Sequence, residues 1–171
     1  MICCVTGHRP LKFPFDYTDK NSRAFLAYQN RLVREVEFLI DEGYRHFISG
    51  MAQGVDLDFA ETVIALRNKM EHNPSIFLEL AIPCASQTRN WNACYLDQYS
   101  YVLANSDWQT QVSTSYDRGC MQRRNQYMVD QSDLILAVWN GEPSGGTWNT
   151  IQYAKRMKKK VRIVSLNDLC V

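Results

Sequence analysis

From its first residues to its last, the chain alternates short apolar runs with segments of helical period. This alternation constrains the fold more than any single motif. Apolar runs occur at Ile2 to Val5, Tyr44 to Ser49, Ile76 to Ile82, Leu134 to Trp139 and Val161 to Val164, each bounded like a buried strand. Asp107 to Val112 is weaker, because Gln109 and Gln111 alternate with other residues, a pattern that suits an edge or a one-sided position. Helical spacing fills the intervals. Ser22 to Glu42 carries Phe25, Tyr28, Leu32, Val36 and Leu39 on one face, and Gly43 supplies a C-terminal stop. Further helices are predicted from Val55 to Glu71, closed by His72-Asn73-Pro74, and over Gln87 to Ala104, Asp117 to Asp130 and Thr147 to Met157. Neither repeat nor low-complexity linker interrupts the series. The fold class that follows is α/β: one domain over residues 1–171, with a mainly parallel sheet, helices on both faces and right-handed crossovers.

Charge narrows the function. Nineteen basic and 18 acidic residues leave a net charge of +1 over 171 residues, too little for gripping duplex nucleic acid through its phosphates. The basic cluster Lys155 to Lys160 falls where the last helix should end, where the helix dipole favours cations. No run approaches a membrane span and no signal-peptide pattern opens the chain, so the expected location is cytoplasmic. The six cysteines match no metal-site spacing. They are expected to be reduced, with Cys84 and Cys120, near predicted loops, the two to test for reactivity. No metal is expected.

Three glycine turns carry the chemistry. Ser49-Gly50-Met51-Ala52-Gln53-Gly54-Val55-Asp56 joins the second strand to a helix, where free N–H groups attract anions. Gly50 and Gly54 would let a phosphate or ribose approach the backbone. Asp56 would accept from a ribose hydroxyl or from an N–H of the loop, unless it only caps the helix. Thr6-Gly7-His8-Arg9-Pro10 leaves the first strand. There Thr6 offers a hydroxyl, Gly7 clears space and Arg9 suits a bidentate phosphate contact, whereas His8 reads as a packed residue rather than a catalyst. Gly145-Gly146-Thr147 follows the strand ending at Trp139, with Thr147 as the expected N-cap. On the helix over Asp117 to Asp130, Arg124 is expected to face the strand ends while Arg123 points to solvent. Gln87 and Trp91 open an aromatic stripe with Tyr95 that could meet a base or ring. In folds of this class, ligands bind outside the carboxyl ends of the strands at the switch in strand order, so the three turns are expected to share one pocket.

Taken together, Thr-Gly-His-Arg-Pro at 6 to 10, Gly-Met-Ala-Gln-Gly-Val-Asp at 50 to 56, Arg-Asn-Gln-Tyr-Met-Val-Asp at 124 to 130 and Gly-Gly-Thr at 145 to 147 resemble the YpsA family. It is a branch of the SLOG superfamily, which also holds DprA and the LOG enzymes. The resemblance implies a Rossmann-like domain and a nucleotide-type ligand. It extends the expected ligand-contacting set to Thr6, Gly7, Arg9, Gly50, Met51, Ala52, Gly54, Asp56, Gln87, Trp91, Arg124, Asn125, Gly145, Gly146 and Thr147. Hydrolase members of the superfamily carry a glutamate three residues after the glycine-threonine turn, and here that position is Thr150. Catalysis would then fall to Asp56 or Glu142 as acid or base.

The expected function is therefore binding of a nucleotide or an NAD- or ADP-ribose-type ligand, to sense or sequester it, with no required cofactor. The expected partner is that small molecule, with no membrane involved and a homo-oligomer left open. Single-strand binding of the DprA kind lacks the charged groove it requires. Two alternatives stand beside this reading: hydrolysis of an N-glycosidic or phosphate bond, and a regulatory interaction module with a vestigial site.

Overall fold

The computed structural model describes residues 1–69 and 76–169. The expected helix end at Glu71 to Pro74, and Cys170, lie outside these residues. Six strands, β1 (Ile2–Gly7), β2 (His46–Ser49), β3 (Phe77–Ile82), β4 (Trp108–Gln111), β5 (Leu134–Trp139) and β6 (Lys160–Ser165), alternate with five helices. The helices are α1 (Arg23–Asp41), α2 (Val55–Lys69), α3 (Ala93–Ala104), α4 (Cys120–Gln131) and α5 (Gly145–Arg156). Strand order is β4-β3-β2-β1-β5-β6 and every pair is parallel. The architecture is thus a single α/β Rossmann-like domain, with the switch in strand order between β1 and β5.

The pleat divides the core in two. Successive residues of a strand face opposite sides of the sheet, so Cys3, Val5, Leu134, Leu136 and Val138 join the core packed under α1 and α2. Cys4, Ile135 and Ala81 join a second core with Met128, Val129 and Ala154 of α4 and α5. Register follows, with Cys4 opposite Ile135 and Gly7 opposite Val138. As expected, β4 is a weak edge strand, mostly exposed. No helix among the described residues is long and apolar enough to cross a membrane.

Several boundaries depart from the sequence expectation: β2 begins at His46 rather than Tyr44 and α4 at Cys120 rather than Asp117. β1 continues through Thr6 and Gly7, because Gly7 still pairs with β5. Residues 84–91 form successive turns, and α3 begins only after Asn92, whose side chain accepts from the Tyr95 N–H. That cap stops the helix from extending back to Gln87. α5 starts at Gly145, two residues early, so Thr147 lies inside the first turn and is not the N-cap; Ser144 occupies that place. The cysteine expectation also changes: Cys84 and Cys120 are both buried, and among the described residues Cys94 is the exposed free thiol.

Candidate functional site

Where β1 and β5 part, the end of β1, the loop after β5 and the first turn of α5 line a cleft of ≈ 250 Å³. Its lining includes Thr6, Gly7, Arg9, Ala52, Asp56, Arg124, Asn125, Gly145, Gly146 and Thr147 of the expected set, together with Glu142. His8, Lys12, Met121 and Ser144 line it as well. Lys12 and Ser144 were missed from the sequence. The signal for Lys12 was its place three residues after Arg9, which the short 3₁₀ turn over Pro10–Lys12 brings back to the cleft.

Arg124 anchors the floor. It is only 4% exposed, and Nη1 donates to the Gly50 carbonyl oxygen and, at 3.1 Å, to Asp56 Oδ2. Its Nε is buried with no hydrogen-bond partner among the described residues. Asp56 Oδ2 also accepts from the Ala52 N–H at 3.2 Å. Burial pushes the Asp56 carboxyl above its ordinary range, against the pull of Arg124, and pushes the guanidinium down. Arginine is basic enough that the guanidinium keeps its charge. Asp56 thus takes the second of its two expected roles, accepting from its own loop.

Two of the expected glycines are required by packing, Gly50 against this floor and Gly54 against the segment after β1. A Cβ on Gly50 would run into the Arg124 guanidinium and come within 2.6 Å of Asp56 Oδ2. Gly54, at φ +90°, would place a Cβ 2.6 Å from the His8 carbonyl oxygen. Both are close-packing positions between loops. Met51 is fully buried, with φ 61°. None of these three lines the cleft.

Gln87 and Trp91 are not in it either. Gln87 donates through Nε2 to the Met51 carbonyl oxygen, bracing the glycine loop from behind. Trp91 packs edge-on against Tyr95 and Tyr99, against the main core. Both residues sit in the loop between β3 and α3, and neither joins the lining of the cleft.

The opposite wall is held by β5 and α5. The Asn140 N–H donates to His8 Nε2 at 3.2 Å, so the imidazole acts as an acceptor, and burial lowers its basicity. Trp139 stacks on Trp148 with centroids 5.4 Å apart, and its indole N–H donates to the Glu142 carbonyl oxygen. Ser144 makes no side-chain capping bond, and α5 has no acidic residue in its first turn. A Cβ on Gly145 or Gly146 would meet nothing within 4 Å. The first turn of α5 thus lines the cleft together with Arg9, Lys12 and Arg124, and a helix N-terminus among cations favours an anion. Thr150 is buried and donates to the Gly146 carbonyl oxygen at 2.9 Å. Arg123 points outward, paired with Asp117.

Comparison with known proteins agrees with this architecture. The profile of the YpsA family, described as the YspA SLOG family, matches residues 3–169. The chain is 24% identical over 178 residues to the UPF0398 protein YpsA of Bacillus subtilis (strain 168), covering 99% of this chain and 95% of that protein. It is 31% identical over 144 residues to the uncharacterized SPbeta prophage-derived protein YoqJ of the same organism, covering 77% and 82%. A UPF0398 protein of Halalkalibacterium halodurans is 25% identical over 155 residues, covering 87% and 80%. With fold, motifs and profile in agreement over nearly its whole length, the chain belongs to the YpsA family of SLOG proteins.

Proposed function

We propose that the protein binds a phosphate-bearing, nucleotide-type ligand, with a phosphate seated against the first turn of α5. The observation that carries this reading is the uncapped, glycine-lined start of α5 opening onto a cleft lined by Arg9, Lys12 and the buried Arg124. Arg124, with its unpartnered Nε, supports the same polarity. At ≈ 250 Å³ the cleft lies just below the usual range of ligand pockets. One sugar-phosphate unit would fill it, leaving a base, or the second half of an NAD-type molecule, outside.

Binding is favoured over bond cleavage. The Asp56 carboxylate is occupied by Arg124 and the Ala52 N–H, and Thr150 donates into its own helix. Glu142 sits exposed in the lining, and no ion pair among the described residues includes it. Sensing or sequestering a nucleotide is the role that such a site suits.

The test is calorimetry against mononucleotides, dinucleotides, ADP-ribose and cyclic nucleotides, with the products checked by chromatography for free base. We expect saturable binding without turnover, weakened roughly tenfold by Arg9→Ala, the scale of one lost charge-assisted hydrogen bond. Silence across the panel overturns the proposal. Turnover that depends on Glu142 would replace it with the hydrolase reading.

A further inference from the structure

A second, open groove of ≈ 710 Å³ lies between the Tyr17–Lys20 loop and helices α1, α2 and α3. It shares no lining residue with the basic cleft. Four aromatic rings line it, Tyr17, Phe25, Tyr95 and Tyr101, with three carboxyl groups, Asp58, Glu61 and Asp97. Lys20 is the only cation among its lining residues.

The acids are held by neutral donors. Asp58, buried in the first turn of α2, accepts from the Tyr17 hydroxyl at 2.9 Å, the Tyr28 hydroxyl at 2.8 Å and Gln98 Nε2 at 3.2 Å. The same Gln98 nitrogen donates to Glu61 Oε2 at 2.9 Å. No ion pair among the described residues includes either carboxylate. Burial pushes both carboxyls up, as expected where negative charge lacks a contacting cation.

The resident ammonium lies near these carboxylates without pairing with either. Lys20 Nζ lies 3.5 Å from the Tyr17 ring centroid and 4.0 Å from that of Phe25, held by ring faces. Aromatic faces beside carboxylates recognise alkylammonium ions, and a groove of this volume falls within the range of small-molecule sites. Lys20 is exposed, on a flexible stem that can swing aside.

We propose that this groove is a second ligand site, for a small organic ammonium cation. The Tyr17 and Phe25 faces and the Asp58–Glu61 pair recognise the cation, which displaces the Lys20 ammonium.

Calorimetry of the full chain with tetramethylammonium, putrescine and spermidine at constant ionic strength tests this. We expect saturable binding that Lys20→Ala tightens roughly threefold or more, because the internal competitor is gone. Lys12→Ala, the same charge change at the other cleft, should leave it unaltered. Glu61→Gln should weaken binding by about the same factor. If that variant loses its far-UV circular dichroism, the Lys20→Ala comparison decides alone. A trilysine peptide tells whether the ammonium is presented on a polypeptide: tighter binding than spermidine assigns that source, weaker binding a free amine. Absence of saturable binding in both wild type and Lys20→Ala overturns the proposal, as do equal effects of Lys20→Ala and Lys12→Ala.

Discussion

Arg124 illustrates how one buried cation organises a site. Its guanidinium ties α4 to the Gly50 carbonyl and to Asp56, and removing it strands a buried carboxylate. Arg124→Met should cost about 3–5 kcal/mol, and adding Asp56→Leu should recover part of that loss. Urea denaturation of the two single variants and the double variant measures the coupling. Gly50→Ala should cost about 1–3 kcal/mol by overpacking, and should also weaken phosphate binding, since the displaced group is Arg124. The inward phase of Arg124 was legible in sequence: it shares a helical face with Met128, and both are buried. The role of Gly50 was not. Its requirement for glycine comes from a side chain 74 positions away, which no local pattern reveals.

At the scale of elements, the strands and their order of appearance were readable because apolar runs and helical spacing differ in period. The starts of α3 and α5 were not. The start of α3 depends on which of several polar residues captures the first N–H groups, and Asn92 does so, whereas α5 begins at Gly145 with no side-chain cap. Asn92→Ala should therefore lower stability by about 0.5–2 kcal/mol, seen as a lower urea midpoint. The two sides of the cleft are joined by the bond from the Asn140 N–H to His8. Burial lowers the folded-state basicity of His8, so the unfolded chain takes up its proton first as the pH falls. Stability should drop as pH falls through the ordinary imidazole range, near about 6.5. His8→Gln should remove that segment of the pH–stability curve. An unchanged curve would show that the imidazole titrates freely.

For the whole molecule, buried carboxylates link distant strands and helices. Glu79 on β3 meets His46 of β2 at 2.8 Å, the Tyr127 hydroxyl of α4 and Thr110 of β4. Burial alone would raise its pKa, but these hydrogen bonds outweigh it and hold the carboxyl below its ordinary range. Stability from Glu79 is thus fully present above the ordinary glutamate pKa, and is lost as pH falls through the lower folded-state value. Asp56 and Asp58 shift the other way, so the prediction concerns a difference: Glu79→Gln should flatten the acid limb of stability relative to wild type. The parallel sheet that holds these groups also gathers the cleft, since its strand order reverses at β1 and β5. The most direct measurement of the central claim is an amide ¹⁵N–¹H NMR titration with a mononucleotide. The account predicts saturable shifts of the Gly145, Gly146 and Thr147 amides, strongly reduced in Arg9→Ala, with the amides of β6 unmoved. Unshifted amides at the start of α5, while the nucleotide binds elsewhere or not at all, would contradict it.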